Sequence, residues 1–413
     1  MRKPRKSSAS ATRRKSQRTP GTSPAFVAGL VPWRVAVSVG LLTGIAIAAF
    51  VLQWQSEPRF ALSIVFGALF GVVLQRARFC FFCMFRDWYD QRDPRGLYGL
   101  LIALAAGLVG YTLVYGAWLP DAGSGRLPPD AFIGPVGLAL VLAGIAFGAG
   151  MAISGSCISA HLYRLGEGSP TAPFALAGTV AGFVLGFLSW NWIYLTLVSA
   201  APVVWLPGWL GYSGALVAGL AVLLALAIML RRTSRTVSAP RRHDDPVRAI
   251  FIDRWPAWAG GVAIGALGTA AYLRVAPLGV TAEIGNRARD LAAGWLPTRL
   301  EGLDMLRGCV TVAKNMVGSP NGAFVAALVV ASFAAALTAG QFRPVAPTRD
   351  QAARGLVGGV LLGWGAMVGL GCTIGTLLSG IMAGALSGWL FGAAVFAAIA
   401  ATLTLGRRAR ILA

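Results

Sequence analysis

The chain has 413 residues, of which 56% are hydrophobic and only 12% are charged. A water-soluble domain carries about a quarter charged residues and under half apolar ones, so the composition excludes a soluble enzyme. The net charge of +21, from 36 Lys and Arg against 15 Asp and Glu, would suit a nucleic-acid binder. The basic residues, however, fall in patches between long uncharged runs, which is the pattern of an all-α polytopic membrane protein. No nucleic-acid partner is expected, and five cysteines in so long a chain exclude a disulfide scaffold.

Residues 1–34 form a basic tail. Arg2, Lys3, Arg5, Lys6, Arg13, Arg14, Lys15 and Arg18 stand among Ser, Thr and Pro, with no acid before Glu57. Such a segment cannot bury a core and is expected to be disordered and cytoplasmic, touching anionic lipid. A signal peptide is not expected, because the first apolar run is long enough to span.

About ten transmembrane helices follow: Val35–Gln53, Phe60–Gln75, Leu97–Leu119, Phe132–Ile153, Thr171–Val198, Tyr212–Leu230, Ala257–Val275, Gly322–Gln341, Leu356–Leu370 and Ala385–Leu405. A full span needs about 20 residues, so the short second and ninth runs mark candidate re-entrant elements. Charge fixes the expected orientation. Loop 76–96 carries Arg76, Arg78, Arg86, Arg92 and Arg95, and loop 231–249 carries Arg231, Arg232, Arg235, Arg241, Arg242 and Arg248. Arg343, Arg349 and Arg354 lie in 342–355, and Arg407, Arg408 and Arg410 lie at the C-terminus. Loops 120–131 and 199–211 are poor in basic residues, so both termini are expected inside. Segment 276–321, long and of mixed charge, is expected outside, where it can fold back into the protein.

Two segments match across the chain. Gly148-Ala149-Gly150 precedes Cys157, and Gly363-Trp364-Gly365 precedes Cys372, at identical spacing. The first helix runs inward and the second outward, which predicts an inverted-topology repeat. The expected organisation is an additional N-terminal helix (35–56), a first transport repeat (57–211), a linking helix with a basic cytoplasmic loop (212–256) and a second repeat (257–413). Broken backbone at membrane depth lines a cavity or lies within protein. Short re-entrant helices after the cysteines would aim their N-termini at a central waist, which favours an anion without a buried Arg.

Cys80 lies in Gln75-Arg76-Ala77-Arg78-Phe79-Cys80-Phe81-Phe82-Cys83-Met84-Phe85-Arg86-Asp87. Cys157 lies in Gly155-Ser156-Cys157-Ile158-Ser159-Ala160-His161-Leu162-Tyr163-Arg164-Leu165-Gly166-Glu167-Gly168. Cys372 lies in Gly369-Leu370-Gly371-Cys372-Thr373-Ile374-Gly375, followed by Ser379-Gly380-Ile381. Cys80 and Cys83 form a C-x-x-C, readable as a redox pair or half a zinc site. No second C-x-x-C and only two His, His161 and His243, argue against zinc, and no metal is expected. Cys309 reads as a buried small hydrophobe. His161 reads as a local hydrogen-bonding residue, Glu167 as a helix-start cap or a proton-coupling group, and Arg86-Asp87 as an ion pair locking the loop. Arg76 and Arg78 can attract a departing anion, although topology already explains them.

These three segments resemble the YeeE/YedE family of sulfur-transport membrane proteins, over about residues 60–405. The resemblance implies thiosulfate import across the bacterial inner membrane, through an hourglass with nine spanning helices and short helices at the waist. It implies that Cys80, Cys157 and Cys372 pass the substrate along by S–H···S contacts. The substrate-binding candidates are these three with Ser156, Ser159, Gly371 and Thr373; secondary candidates are Cys83, Cys309, Arg78, His161 and Glu167. The chain departs from the family pattern at Cys83, where a small residue is usual, at Ser156-Cys157-Ile158-Ser159, which lacks a second Gly, and at Thr373, which replaces a frequent Asn. A selenium-oxyanion transporter of the same family, or a membrane sulfur carrier forming Cys persulfides, stays open.

Thiols are weak donors that suit conduction, since a site must release its ion. In an apolar waist they stay neutral, and a thiolate would repel a dianion. They are therefore expected to act as donors, with no catalytic residue and no cofactor. Importing a dianion against 100 mV costs about 4.6 kcal/mol, and no P-loop is present. Uptake then needs a coupling ion or consumption inside; the resemblance implies a cytoplasmic TusA-like or rhodanese-like sulfurtransferase as partner.

Overall fold

The computed structural model describes residues 32–234, 246–295, 300–309 and 319–409. Most of the basic tail, and the positions of Arg235, Arg241, Arg242, His243 and Arg410, lie outside the described residues. Among the described residues the protein is helical, with two isolated antiparallel bridges, Pro135 to Val203 and Trp205 to Ala385.

In chain order the helices are α1 (Pro32–Trp54), α2 (Pro58–Ala77), α3 (Phe81–Gln91), α4 (Arg95–Trp118), α5 (Leu138–Ser154), α6 (Ile158–Gly166) and α7 (Ala172–Ile193). Next come α8 (Leu206–Thr233), α9 (Pro246–Phe251), α10 (Ala257–Arg274), α11 (Thr281–Leu291), α12 (Pro320–Thr338) and α13 (Arg349–Val368). A π-helical turn, Thr373–Ser379, runs into Gly380–Met382 to make α14, and α15 (Leu386–Arg408) completes the chain. Among the described residues eight helical elements are long and apolar enough to cross a membrane, or nine with α13 and α14 counted as one bent span. The protein is a multi-pass membrane protein. All ten apolar runs are helices; the glycine-rich α10 falls outside that count.

Two expectations about length are corrected. The runs read as short form helices of 20 residues in both α2 and α13, because the helices extend into the flanking polar residues. The short elements follow them. The pairs α2–α3 and α5–α6 continue as broken spans rather than turning back, whereas α13 and α14 meet at 45°. Of segment 276–321, the described parts contain α11 and bury Val280, Thr281, Ala288, Leu303 and Cys309.

Helices pack through small-residue stripes, as expected where lipid competes equally for apolar surface. A Cβ at Gly67 or Gly71 of α2 would collide with the backbone of Phe324 and Leu328 on α12. Gly178 and Gly182 of α7 meet α13 in the same way. Helix α1 packs on α2 and α12, where Ser38 Oγ donates to Ala334 O at 2.9 Å, and exposes Phe50 and Trp54. The order long, short, long, long, short, long occurs in α2–α7 and again in α10–α15. Contacts follow that order: α2 packs on α12 as α10 packs on α4, and α5 on α15 as α13 on α7.

Candidate functional site

Each matched cysteine stands at a break. Cys80, Cys157 and Cys372 are the N-cap residues of α3, α6 and α14, and all are fully buried. Two residues before each, the chain turns through the left-handed region: Arg78 at φ 49°, Gly155 at 82° and Leu370 at 59°. Glycine adopts this conformation freely, whereas Arg78 and Leu370 each hold about 1–3 kcal/mol of backbone strain. The turn ends the long helix, and the following residues start the short one with its N–H groups free.

The three cysteines do not form one group. Cys80 meets the thiols of Cys157 and Cys83. Cys157 Sγ lies 3.2 Å from Ser159 Oγ. Arg164 of α6 closes this first set: its Nη1 donates to Ser156 Oγ at 2.6 Å and its Nη2 to Cys83 Sγ at 3.0 Å. Among the described residues no carboxylate lies within 4.0 Å of Arg164. Its partners are neutral, so a cation sits in the span without a counter-charge in contact. The expectation of an anion site without a buried Arg did not take in this half-buried residue: Arg164 falls seven residues, two turns, after Cys157 and so on the same helix face.

Cys372 belongs to a second set. Its neighbours are the Thr281 side chain and the Val280 backbone at the start of α11. Cys309 is buried in an apolar cluster with Phe132 and Ala282, as read, and also lies beside Cys372 and Thr281. Gly371 and Gly375 pack against Cys309 Cβ, where a side chain on either would crowd it. Thr373 is fully buried and its hydroxyl has no hydrogen-bond partner. Cys309 also lines a cavity of about 700 Å³ together with Arg59, Asp130, Asp304, Arg307 and Asn321. The cavity opens at the end of the molecule where α2 and α12 begin.

The secondary candidates separate. His161 Nε2 lies 3.1 Å from Ser154 Oγ, the local bond expected. Arg78 is exposed at the end of α2. Arg76 is buried and donates to Ile252 O and Ala335 O, a structural role that leaves none of its charge facing a pathway. Glu167 ends α6 instead of capping a helix start, and accepts from Gln75 Nε2 at 3.3 Å. Burial pushes the Glu167 carboxyl above its ordinary range, against the pull of Arg164, Arg78, Gln75 and Arg76. Arg86 and Asp87 pair at 3.1 Å on the exposed side of α3, within one helix, and lock no loop. Thr281 was missed because its segment reads as loop; the Glu283–Arg287 pair at i,i+4 was the available sign of α11.

Residues 76–401 match the family described as "Sulphur transport". The chain belongs to the sulphur-transport family. It is 29% identical over 329 residues to the "Thiosulfate transporter TsuA" of Escherichia coli K12, covering 76% of this chain and 84% of that protein. It is 27% identical over 336 residues to the protein of the same name from Spirochaeta thermophila, covering 77% and 90%. The "Probable transporter YedE" of E. coli K12 is 26% identical over 141 residues, 34% of this chain and 32% of that one. The relatives are transporters, and this member of the family is a transporter rather than an enzyme.

Proposed function

We propose that this protein imports thiosulfate across the bacterial inner membrane, with both termini in the cytoplasm. The two runs of six elements are read as inverted halves of one transport unit. The anion enters from the cavity beside Cys309, passes Cys372 with Thr373 and Gly371, and reaches Cys157 and Cys80 with Ser156 and Ser159. Neutral thiols meet its terminal sulfur, and hydroxyls and helix N-termini meet its sulfonate oxygens. Weak contacts in series let it leave as readily as it binds.

The observation that carries this reading is Arg164. A guanidinium inside a span with neutral partners favours an anion beside it, since a charge pair about 4 Å apart gains about 4 kcal/mol at an effective dielectric of 20. A cytoplasmic sulfurtransferase of the TusA-like or rhodanese-like type is the proposed recipient, whose consumption of the anion offsets the membrane potential.

Labelled thiosulfate flux into liposomes containing only this protein tests the proposal. Flux without a persulfide adduct, lost in Cys157→Ala, is the expected result. No flux, with an adduct on Cys157 or Cys372, would establish a sulfur carrier instead. Selenite and selenate as competitors decide between sulfur and selenium anions.

A further inference from the structure

Cys83 has no part in that route, yet it is built into the first set. Cys80 is the N-cap of α3 and Cys83 stands in its first turn, with the two thiols near one another. Residues three apart on a helix hold their Cβ atoms about 5–6 Å apart, against about 3.5–4.5 Å in a disulfide. Closing a bond between them therefore draws the Cβ atoms together by about 1–2 Å, a movement open to Cys80 because it is the extended N-cap at the helix break. Cys83 is half-buried while Cys80 is fully buried, so Cys83 is the sulfur that a reagent reaches. Arg164 donates to Cys83 Sγ at 3.0 Å, and this contact stabilises negative charge on an attacking sulfur. Cys157, the other neighbour of Cys80, is on a different helix, fully buried and engaged with Ser159 at 3.2 Å.

We infer that Cys80 and Cys83 are a modification site: a dithiol that a polythionate oxidises to an intrahelical disulfide, which shuts the anion route. The polythionate is tetrathionate: Cys83, having lost its proton to water, attacks one of its two central sulfurs. A Cys83 S–S bond forms and one thiosulfate leaves. Cys80 then loses its proton and attacks Cys83 Sγ, forming the Cys80–Cys83 bond and releasing a second thiosulfate. The two thiols give up two electrons and two protons, and the polythionate S–S bond takes the electrons. The guanidinium that favours thiosulfate also favours its S–S-linked dimer, so the oxidant is drawn to the thiol it oxidises. The product has no S–H on Cys80 to donate to substrate.

The disulfide stands independently of the proposed route; the shutting of transport rests on it, and two readouts keep them apart. Cleavage after Arg78 and Arg86 releases both cysteines in one peptide, Phe79 to Arg86. The full-length protein in liposomes is treated with tetrathionate, alkylated, digested and weighed, and a parallel sample is assayed for thiosulfate flux. The expected peptide is unalkylated and lighter by two hydrogens, flux falls about tenfold, and dithiothreitol restores both. Cys83→Ser keeps an acceptor for Arg164, and its flux, referred to its own untreated level, is expected to resist tetrathionate. Alkylation of both cysteines, or a link from Cys80 to Cys157, overturns the dithiol. An intact Cys80–Cys83 bond with undiminished flux upholds the site and removes Cys80 from the route.

Discussion

The two cysteine sets share one architecture and differ in charge. In each, a long helix ends in a left-handed turn and a cysteine caps a short helix. The first set, Cys80, Cys83 and Cys157, encloses the guanidinium of Arg164. The second, Cys309 and Cys372, is completed by Thr281 and the unpartnered hydroxyl of Thr373, with no cation among these contacts. Equivalent backbone thus carries unequal electrostatics. On the proposed route an anion leaves a cavity lined in part by Arg59 and Arg307, then meets the neutral donors of the second set before the cation of the first.

Removing the cation is expected to have the largest effect. Arg164→Gln should lower thiosulfate flux about a hundredfold, equivalent to about 2.8 kcal/mol. Arg164→Lys should recover part of it, because a point charge cannot hold Ser156 and Cys83 together as the planar fork does. Flux measured in liposomes at matched protein content checks both. Parental transport by Arg164→Gln would make the charge difference between the sets irrelevant to function.

Within the second set the expected effects are smaller and graded. Cys372→Ala should cost about tenfold in flux through loss of its S–H donor, and Cys309→Ala about threefold, since Cys309 caps no helix. Thr373→Val is the sharper variant. Its hydroxyl has no partner in the protein, so removing it should leave thermal stability unchanged or raised while flux falls about threefold. A loss of stability instead would mean that Thr373 holds the fold and not the anion.

The fold was legible where hydrophobicity and length decide it: ten apolar runs are ten helices, and a break lies at each of the three cysteine motifs. The form of the breaks was not. Gly155 announces a left-handed turn, but Arg78 and Leu370 adopt the same conformation against their own preference, because packing around them fixes it. Helix α11 was hidden because its polar residues read as loop, although Glu283 and Arg287 pair along one face at 2.7 Å. Arg164 was present in the quoted motif and unread, because a single Arg near a helix end is ordinarily explained by topology. Only its neutral partners distinguish it, and partners are a property of three-dimensional packing.

Glu167 offers the smallest and most specific test of the charged set. It lies three residues beyond Arg164, and burial raises its carboxyl above the ordinary range despite the surrounding arginines. A carboxyl raised on folding makes the folded state bind its proton more tightly than the unfolded chain does. The stabilisation is present at low pH and is lost as pH rises through the folded-state value. At pH 8 the parent therefore carries a half-buried carboxylate that Glu167→Gln lacks, while Gln still accepts the bond from Gln75. The melting temperature of Glu167→Gln should exceed that of the parent at pH 8, and the gap should narrow as the pH falls toward the ordinary carboxylate range. A gap of the opposite sign, widening with pH, would mean that Arg164 and its neighbours hold Glu167 as a counter-ion. The cation of the first set would then be partly neutralised from within, and its contrast with the second set would shrink accordingly.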